Sequence, residues 1–297
     1  NYYSKINYLN IKMYDFLKLI RLSQWSKNFL IFLPFIMANE YSYSNINTAI
    51  IGFFIFSLAA STVYIFNDLL DLPLDRVHPT KKNRPIASNS ISKNKAIIIL
   101  LILMITSLYL GAVNSVISIL LVYFFLNILY TLVIKKIKFL DIILLSFFYI
   151  IRIYFGGELV EIEISNWLYS FCIVAFMSLV ILKRVNEIKK YKFKTSLYLE
   201  KNFKDLKFIL IVNNYLSLSF LFFYLLSDKV TEIYNYPKLL WILLPLYFYW
   251  TKNINNFALS GKMNDDPVKF VLTNRKSLLT ITLMGSIILI AQLINFA

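Results

Sequence analysis

INTAIIGFFIFSLAASTVYIFNDLLDLPLDRVHPTKKNRP, residues 46–85, opens on an apolar run without a charge and then changes character within one turn. The run is as long as the roughly 20 residues a helix needs to cross a bilayer. At its end stand Asn67, Asp68, Asp71 and Asp75, followed by His78 and the cations Lys81, Lys82 and Arg84. Asn67, Asp71 and Asp75 recur every four residues, so a helical stretch places them on one face. Asp68 sits to the side, and Pro73 loosens the turn between them. Such oxygen donors suit Mg2+, a hard ion that takes one or two carboxylates and completes its shell with water and substrate phosphates. The cations that follow suit the phosphates.

Composition puts this motif in a membrane. The 297 residues are 59% hydrophobic, yet the formal net charge is +15. Mean hydropathy is +0.64. A soluble globular domain rarely combines these values. The apolar residues fall in blocks, which predict nine transmembrane helices near 17–38, 46–67, 95–113, 115–134, 140–157, 165–183, 207–227, 236–252 and 277–296. The expected fold is therefore all-α and polytopic.

Lys and Arg accumulate on the cytoplasmic side of membrane proteins, and this topology sorts them unevenly. With the N-terminus inside, 28 of the 31 basic residues fall in internal segments. Lys229 and Lys238 lie outside, Arg152 lies within a span, and the external loop after the fifth span carries Glu158, Glu161 and Glu163. The expected location is the inner (cytoplasmic) cell membrane, with the 67–85 motif facing the cytoplasm. Orientation accounts for most of the basic excess, and the same field draws acidic lipid headgroups or phosphorylated substrates. Nucleic acid is a poor candidate partner, because no separate basic domain is present to hold it.

The longest interhelical segments, near 68–94, 184–206 and 253–276, are all internal and too short to fold alone. A single integral-membrane domain over 1–297 is expected, with a short interfacial segment at 1–16. Because the chain opens on Asn1, its start is expected upstream or at Met13; no cleavable signal peptide is evident in the polar first residues. The single cysteine, Cys172, lies in an apolar span and reads as an inert buried thiol. Arg152 is a sharper pointer, since an unpaired charge inside a bilayer costs about 2.5–3.5 kcal/mol on insertion scales. Its guanidinium is expected to face the bundle interior and meet Asp141, a phosphate or water. Gly156 and Gly157 read as packing residues.

Asn67, Asp68, Asp71 and Asp75 spell NDxxDxxxD, and on this signature the chain resembles the UbiA superfamily of intramembrane prenyltransferases. RLSQWSKNFLIFLP (21–34), HPTKKNRPIAS (78–88), ISNWL (164–168), LKRVNE (182–187) and DDPVKFVLTNR (265–275) are similar to the decaprenyl-phosphate phosphoribosyltransferase branch of that superfamily. Two departures stand out. Aromatic-acceptor members carry a second DxxxD pair, whereas here Asp141 is followed at the matching spacing by Leu145. Within the branch, an Asp often stands where this chain has Asn274.

The resemblance implies a UbiA-like bundle whose central cavity opens to the cytoplasmic side. It also implies Mg2+-dependent transfer of 5-phosphoribosyl from phosphoribosyl pyrophosphate to a polyprenyl phosphate, with release of pyrophosphate; cell-wall synthesis is the familiar destination of that product. Asn67, Asp71 and Asp75 are then the metal ligands, and Asp68, Asp71, Asp75 and Arg152 the catalytic set. Lys27, Asn28, Lys81, Lys82, Arg84, Lys135, Lys183 and Arg184 meet phosphates, and His78 meets ribose or phosphate. Asp141 stands beside Lys135, Lys136 and Lys138, where side-chain cations take the place of a second ion. Asp266 and Arg275 flank a loop that folds over the site. A homo-oligomer is compatible with all of this.

Two rival readings start from the same residues. A prenyltransferase could move a polyprenyl group from its diphosphate to an aromatic or other small acceptor, although the incomplete second DxxxD argues against it. Without the resemblance, Lys27 and Asn28 read as a membrane-surface anchor, and the acidic motif could bind a cation without chemistry in a transporter or lipid-binding protein. Transport predicts ion-coupled flux; the enzyme predicts Mg2+-dependent loss of pyrophosphate.

Overall fold

The computed structural model describes residues 13–191, 197–264 and 266–293, and these residues form helices without a strand. Among the described residues seven helices are long and apolar enough to cross a membrane, which makes this an integral membrane protein. They account for seven of the nine predicted spans; 17–38 and 236–252 are built differently. Most of the interfacial segment expected at 1–16 lies outside the described residues, as do Lys5, Lys12 and Asp265. The fold comprises two compact units, each discontinuous in sequence.

The first unit comprises residues 1–33, 42–132 and 152–161. Its centre is α1 (Tyr43–Leu70), which Ser42 starts by accepting a hydrogen bond from the Asn45 amide at 3.0 Å. Gly52, Ser57, Ala59, Ala60 and Ser61 are buried along α1, and small residues let neighbouring backbones come close in a bilayer. Beyond Asp71 the chain forms the short α2 (Leu72–Val77), and α3 (Lys93–Val113) and α4 (Ile117–Leu132) pack on α1.

The predicted span at 17–38 is not one α-helix. Residues 13–19 are helical, Arg21 turns into the left-handed region (φ 50°), and Leu22–Phe32 continue as a 3-10 helix against α1. Such a long 3-10 run is unusual, and side-chain bonds to α1 hold it. Trp25 Nε1 donates to Ser61 Oγ at 3.1 Å, and Asn28 Nδ2 donates to Ser57 Oγ at 2.8 Å. The last turns of α5 (Leu140–Leu159) also belong to this unit. There a Cβ on Gly156 would stand 2.2 Å from the Ile31 carbonyl oxygen, so only glycine allows the approach.

The second unit comprises residues 34–41, 133–151 and 162–297. It is organised by α6 (Asn166–Tyr191) and α7 (Phe203–Leu225), which pack along each other. Ile142, Leu182, Val185, Leu206 and Ile254 share its buried core. After the short α8 (Asp228–Ile233), the predicted span at 236–252 becomes a 3-10 turn, Pro237–Ile242, followed by α9 (Leu243–Leu259). Pro237 and Pro245 lack the amide protons a continuous helix would need there. The final helices are α10 (Pro267–Thr273) and α11 (Arg275–Leu293).

Candidate active site

The acidic motif lies in the first unit, where α1 hands over to α2. Asp71 ends α1, yet the helical hydrogen-bond pattern runs on through it: the Asp71 amide donates to Asn67 O and the Asp75 amide to Asp71 O, both at 2.9 Å. Pro73, in the first turn of α2, costs no bond, because amides there have no intrahelical acceptor. Asn67, Asp71 and Asp75 therefore keep the four-residue register expected of them. Asn67 Oδ1 accepts from Thr131 Oγ1 of α4 at 2.7 Å, which fixes the amide.

Two arginines balance two of the carboxylates. Asp68 and Asp75 are buried, 3% and 2% exposed, and a carboxylate so enclosed requires a partner. Arg84 Nη1 donates to Asp68 Oδ1 at 3.0 Å and to Asp75 Oδ2 at 2.6 Å. Arg21 Nη2 also donates to Asp68, and its guanidinium lies 4.8 Å from the centre of the Tyr64 ring. Arg84, expected to meet phosphate, is thus engaged with the motif itself. Arg21 was missed as a site residue, because only the fold brings it to a carboxylate 47 positions away.

The loop after α2 is ordered by its histidine. His78 Nδ1 accepts from the Thr80 amide at 3.3 Å and the Lys81 amide at 3.2 Å, so the ring caps the turn Lys81–Asn83. Lys81 and Lys82 are exposed on that turn.

Arg152 lies deeper in the same unit and is 4% exposed. The expected partner Asp141 stands eleven residues earlier on α5, about 16 Å along a helix and beyond side-chain reach. Instead, Arg152 Nε donates to Asn28 Oδ1 at 2.8 Å, and its guanidinium carbon lies 5.0 Å from the Phe56 ring centre and 5.7 Å from that of Tyr123. Asn28 itself is fully buried, its amide spanning Ser57 and Arg152. Expected to meet phosphate, it is enclosed and hydrogen-bonded to Arg152. Lys27, next to it, is half-buried.

Asp141 belongs to a separate network in the second unit. Arg184 approaches its Oδ2 through Nε at 2.9 Å and Nη2 at 2.7 Å, and Arg184 Nη1 reaches Glu187 at 2.8 Å. Tyr198, absent from the sequence reading, donates to Asp141 Oδ1 at 2.5 Å and accepts from the Phe139 amide at 2.7 Å. Phe139 is in the left-handed region (φ 65°), so the phenol satisfies an amide turned out of helical geometry. Burial pushes the Tyr198 hydroxyl above its ordinary value, and donation to Asp141 pushes the same way. Arg184 thus supplies a cation to Asp141, while Lys138 reaches Asn202 at 3.0 Å. Lys135 and Lys183 are half-buried in this unit, and Arg275 is exposed at the start of α11.

The segment expected to fold over the site carries two helix caps. Asp266 Oδ1 accepts from the Val268 and Lys269 amides and starts α10. Asn274 Oδ1 accepts from the Ser277 amide at 3.1 Å and starts α11. Asp and Asn cap helices about equally well, so Asn274 meets this local need.

Oxygen donors at Asn67, Asp71 and Asp75 fit a hard divalent cation. Among the described residues no group of three or more His, Cys, Asp or Glu is arranged to hold a metal; Mg2+ sites commonly take one or two carboxylates and complete the shell with water and substrate phosphates.

Comparison with known proteins is consistent with this geometry. The UbiA prenyltransferase family matches residues 28–257. The protein y4nM of Sinorhizobium fredii is 28% identical over 94% of this chain and 56% of its own length. The decaprenyl-phosphate phosphoribosyltransferase of Mycobacterium tuberculosis is 35% identical over 54% of this chain and 55% of its own. The chain thus spans about half the length of the curated relatives it matches. Among solved structures, a UbiA homolog from Archaeoglobus fulgidus bound to DMAPP and Mg2+ superposes with a TM-score of 0.68 at 16% identity, over 93% of this chain and 98% of that one.

Proposed function

This chain belongs to the UbiA prenyltransferase family, and from that premise we propose that it is a membrane transferase moving 5-phosphoribosyl from phosphoribosyl pyrophosphate to a polyprenyl phosphate, with release of pyrophosphate. The observation that carries this reading is the junction of α1 and α2, where carboxylates and arginines stand at the end of a membrane-length apolar helix. The name of the mycobacterial relative supports the choice of donor and acceptor.

Asn67, Asp71 and Asp75 would hold Mg2+, which when bound neutralises charge on the diphosphate leaving group. Arg84 and Arg21 hold Asp68 and Asp75 in place, so little reorganisation is needed as charge develops. Lys81 and Lys82 meet phosphate oxygens from the exposed turn. As the bond from ribose C1 to diphosphate breaks, a phosphate oxygen of the acceptor forms the new bond from the opposite face. That oxygen is already anionic, so no general base is required. The site faces the cytoplasm from the inner membrane, where the donor is soluble and the acceptor is anchored.

Purified protein in detergent, given phosphoribosyl pyrophosphate, Mg2+ and a long polyprenyl phosphate, is expected to release pyrophosphate and yield a phosphoribosylated lipid, identified by mass spectrometry. Silence with that pair, together with turnover of a prenyl diphosphate and 4-hydroxybenzoate, would replace this reading with prenyl transfer.

A further inference from the structure

Beside the acidic cluster in the first unit lies a depression of ≈ 270 Å³ lined by Lys18, Thr80, Lys81, Asn83, Arg84 and Pro85. Among the described residues its lining carries three cations, two neutral hydrogen-bonding side chains and no carboxylate. Arg84 is charge-balanced on its other side, because Arg21 and Arg84 together face Asp68 and Asp75. The positive charge left to the depression is that of Lys18 and Lys81. A phosphomonoester, nearly dianionic at neutral pH, matches it in charge and in the number of acceptor oxygens.

The walls are held before any ligand arrives. Lys18 lies on the helical residues 13–19, with its ammonium 4.2 Å from the Tyr14 ring centre. The next residue, Leu19, is fully buried in one cluster with Ile65, Ile86 and Ala96. Ile86 follows Pro85, so a single apolar core fixes both the Lys18 wall and the 80–85 wall. His78 and the Arg84 amide, which donates to Lys81 O at 2.9 Å, set the intervening turn. Such preorganisation lowers the ordering cost of binding.

We infer that this depression is a phosphomonoester subsite which takes the 5-phosphate of the sugar donor, one arginine away from the carboxylates at which the diphosphate departs. The assignment rests on the phosphoribosyl-transfer reading. It explains how the enzyme selects a phosphorylated pentose: the motif carboxylates serve any metal-bound diphosphate, whereas Lys18 and Lys81 contact only a donor with a second anionic end. Lys18 thereby becomes a specificity residue outside the NDxxDxxxD signature.

The test uses the full chain in phosphatidylcholine nanodiscs without Mg2+, titrated calorimetrically with ribose 5-phosphate, ribose and inorganic phosphate. Ribose 5-phosphate and phosphate are expected to bind and ribose is not. Lys18→Gln and Lys81→Gln, both at exposed positions, should each weaken ribose 5-phosphate binding by about tenfold, the loss of one charge-assisted hydrogen bond. In turnover, Lys18→Gln should raise KM for phosphoribosyl pyrophosphate and leave kcat near wild type. Equal affinity in wild type and both variants overturns the assignment. So does displacement of ribose 5-phosphate by phosphatidic acid in the nanodisc, which would give the depression to a lipid headgroup. Failure of the transferase reading looks different, because phosphoribosyl pyrophosphate is then not turned over at all.

Discussion

Arg84 and Asp75 lie 2.6 Å apart, and the same guanidinium nitrogen reaches Asp68 at 3.0 Å, so one side chain bridges carboxylates on both sides of the α1–α2 junction. The side chain of Arg84 is 26% exposed and those of the two acids 3%. Removing one partner of such a pair strands a buried charge. Arg84→Ala is expected to destabilise the protein by about 3 kcal/mol, at the low end for buried pairs because Arg84 keeps some solvent. Adding Asp75→Asn should recover part of that loss. Thermal unfolding of the single and double variants in detergent checks the coupling; strict additivity would refute it.

The two arginines and two acids are electrically balanced without a metal. Stripping divalent cations with EDTA should therefore stop turnover and leave the unfolding temperature unchanged. Asp71→Asn should lower turnover by about 10²–10³-fold while the backbone bonds through Asp71, which do not involve its carboxylate, are retained. Pyrophosphate release and thermal unfolding measured on one preparation separate the two effects.

Asn28 bridges Ser57 and Arg152, donating to the first and accepting from the second. Asn28→Ala removes one acceptor from a buried guanidinium and the donor to Ser57, at a cost of about 1–3 kcal/mol. Asn28→Asp keeps the acceptor and should bind Arg152 more strongly, so it is expected to retain more stability than the alanine variant. The reverse order in a denaturation series would mean that Arg152 is held chiefly by the Phe56 and Tyr123 rings.

Tyr198 provides a pH signature. Its hydroxyl is raised above the ordinary tyrosine value by burial, so the folded protein favours the protonated phenol. That contribution is complete below about pH 10 and is lost as pH climbs through the raised folded value. Tyr198→Phe should remove this alkaline loss and cost about 1–3 kcal/mol at neutral pH, because the Phe139 amide and Asp141 lose a shared partner. Unfolding of wild type and variant between neutral and alkaline pH gives the difference directly.

Much of the fold was legible because a bilayer imposes a local rule. Each apolar run must satisfy its own backbone, so it forms a helix whatever its neighbours do. The rule failed at 17–38 and 236–252, where Arg21 in a left-handed turn and the prolines at 237 and 245 interrupt helices that hydropathy alone reads as continuous. The four-residue spacing of Asn67, Asp71 and Asp75 survived because it depends only on backbone periodicity, which the Asp71 bonds maintain.

Side-chain partners were another matter. Asp141 could as well have paired with Arg152 as with Arg184, until helix rise put the first out of reach and packing delivered the second together with Tyr198. Arg21 and Asp68 are 47 residues apart and meet only because the 3-10 helix lies along α1. Hydropathy and local spacing are properties of a window of residues, so the linear chain already specified the membrane helices and the acidic motif. Which cation neutralises which acid is a long-range choice, settled by burial: a carboxylate taken out of water must find its counter-charge wherever the folded backbone brings one.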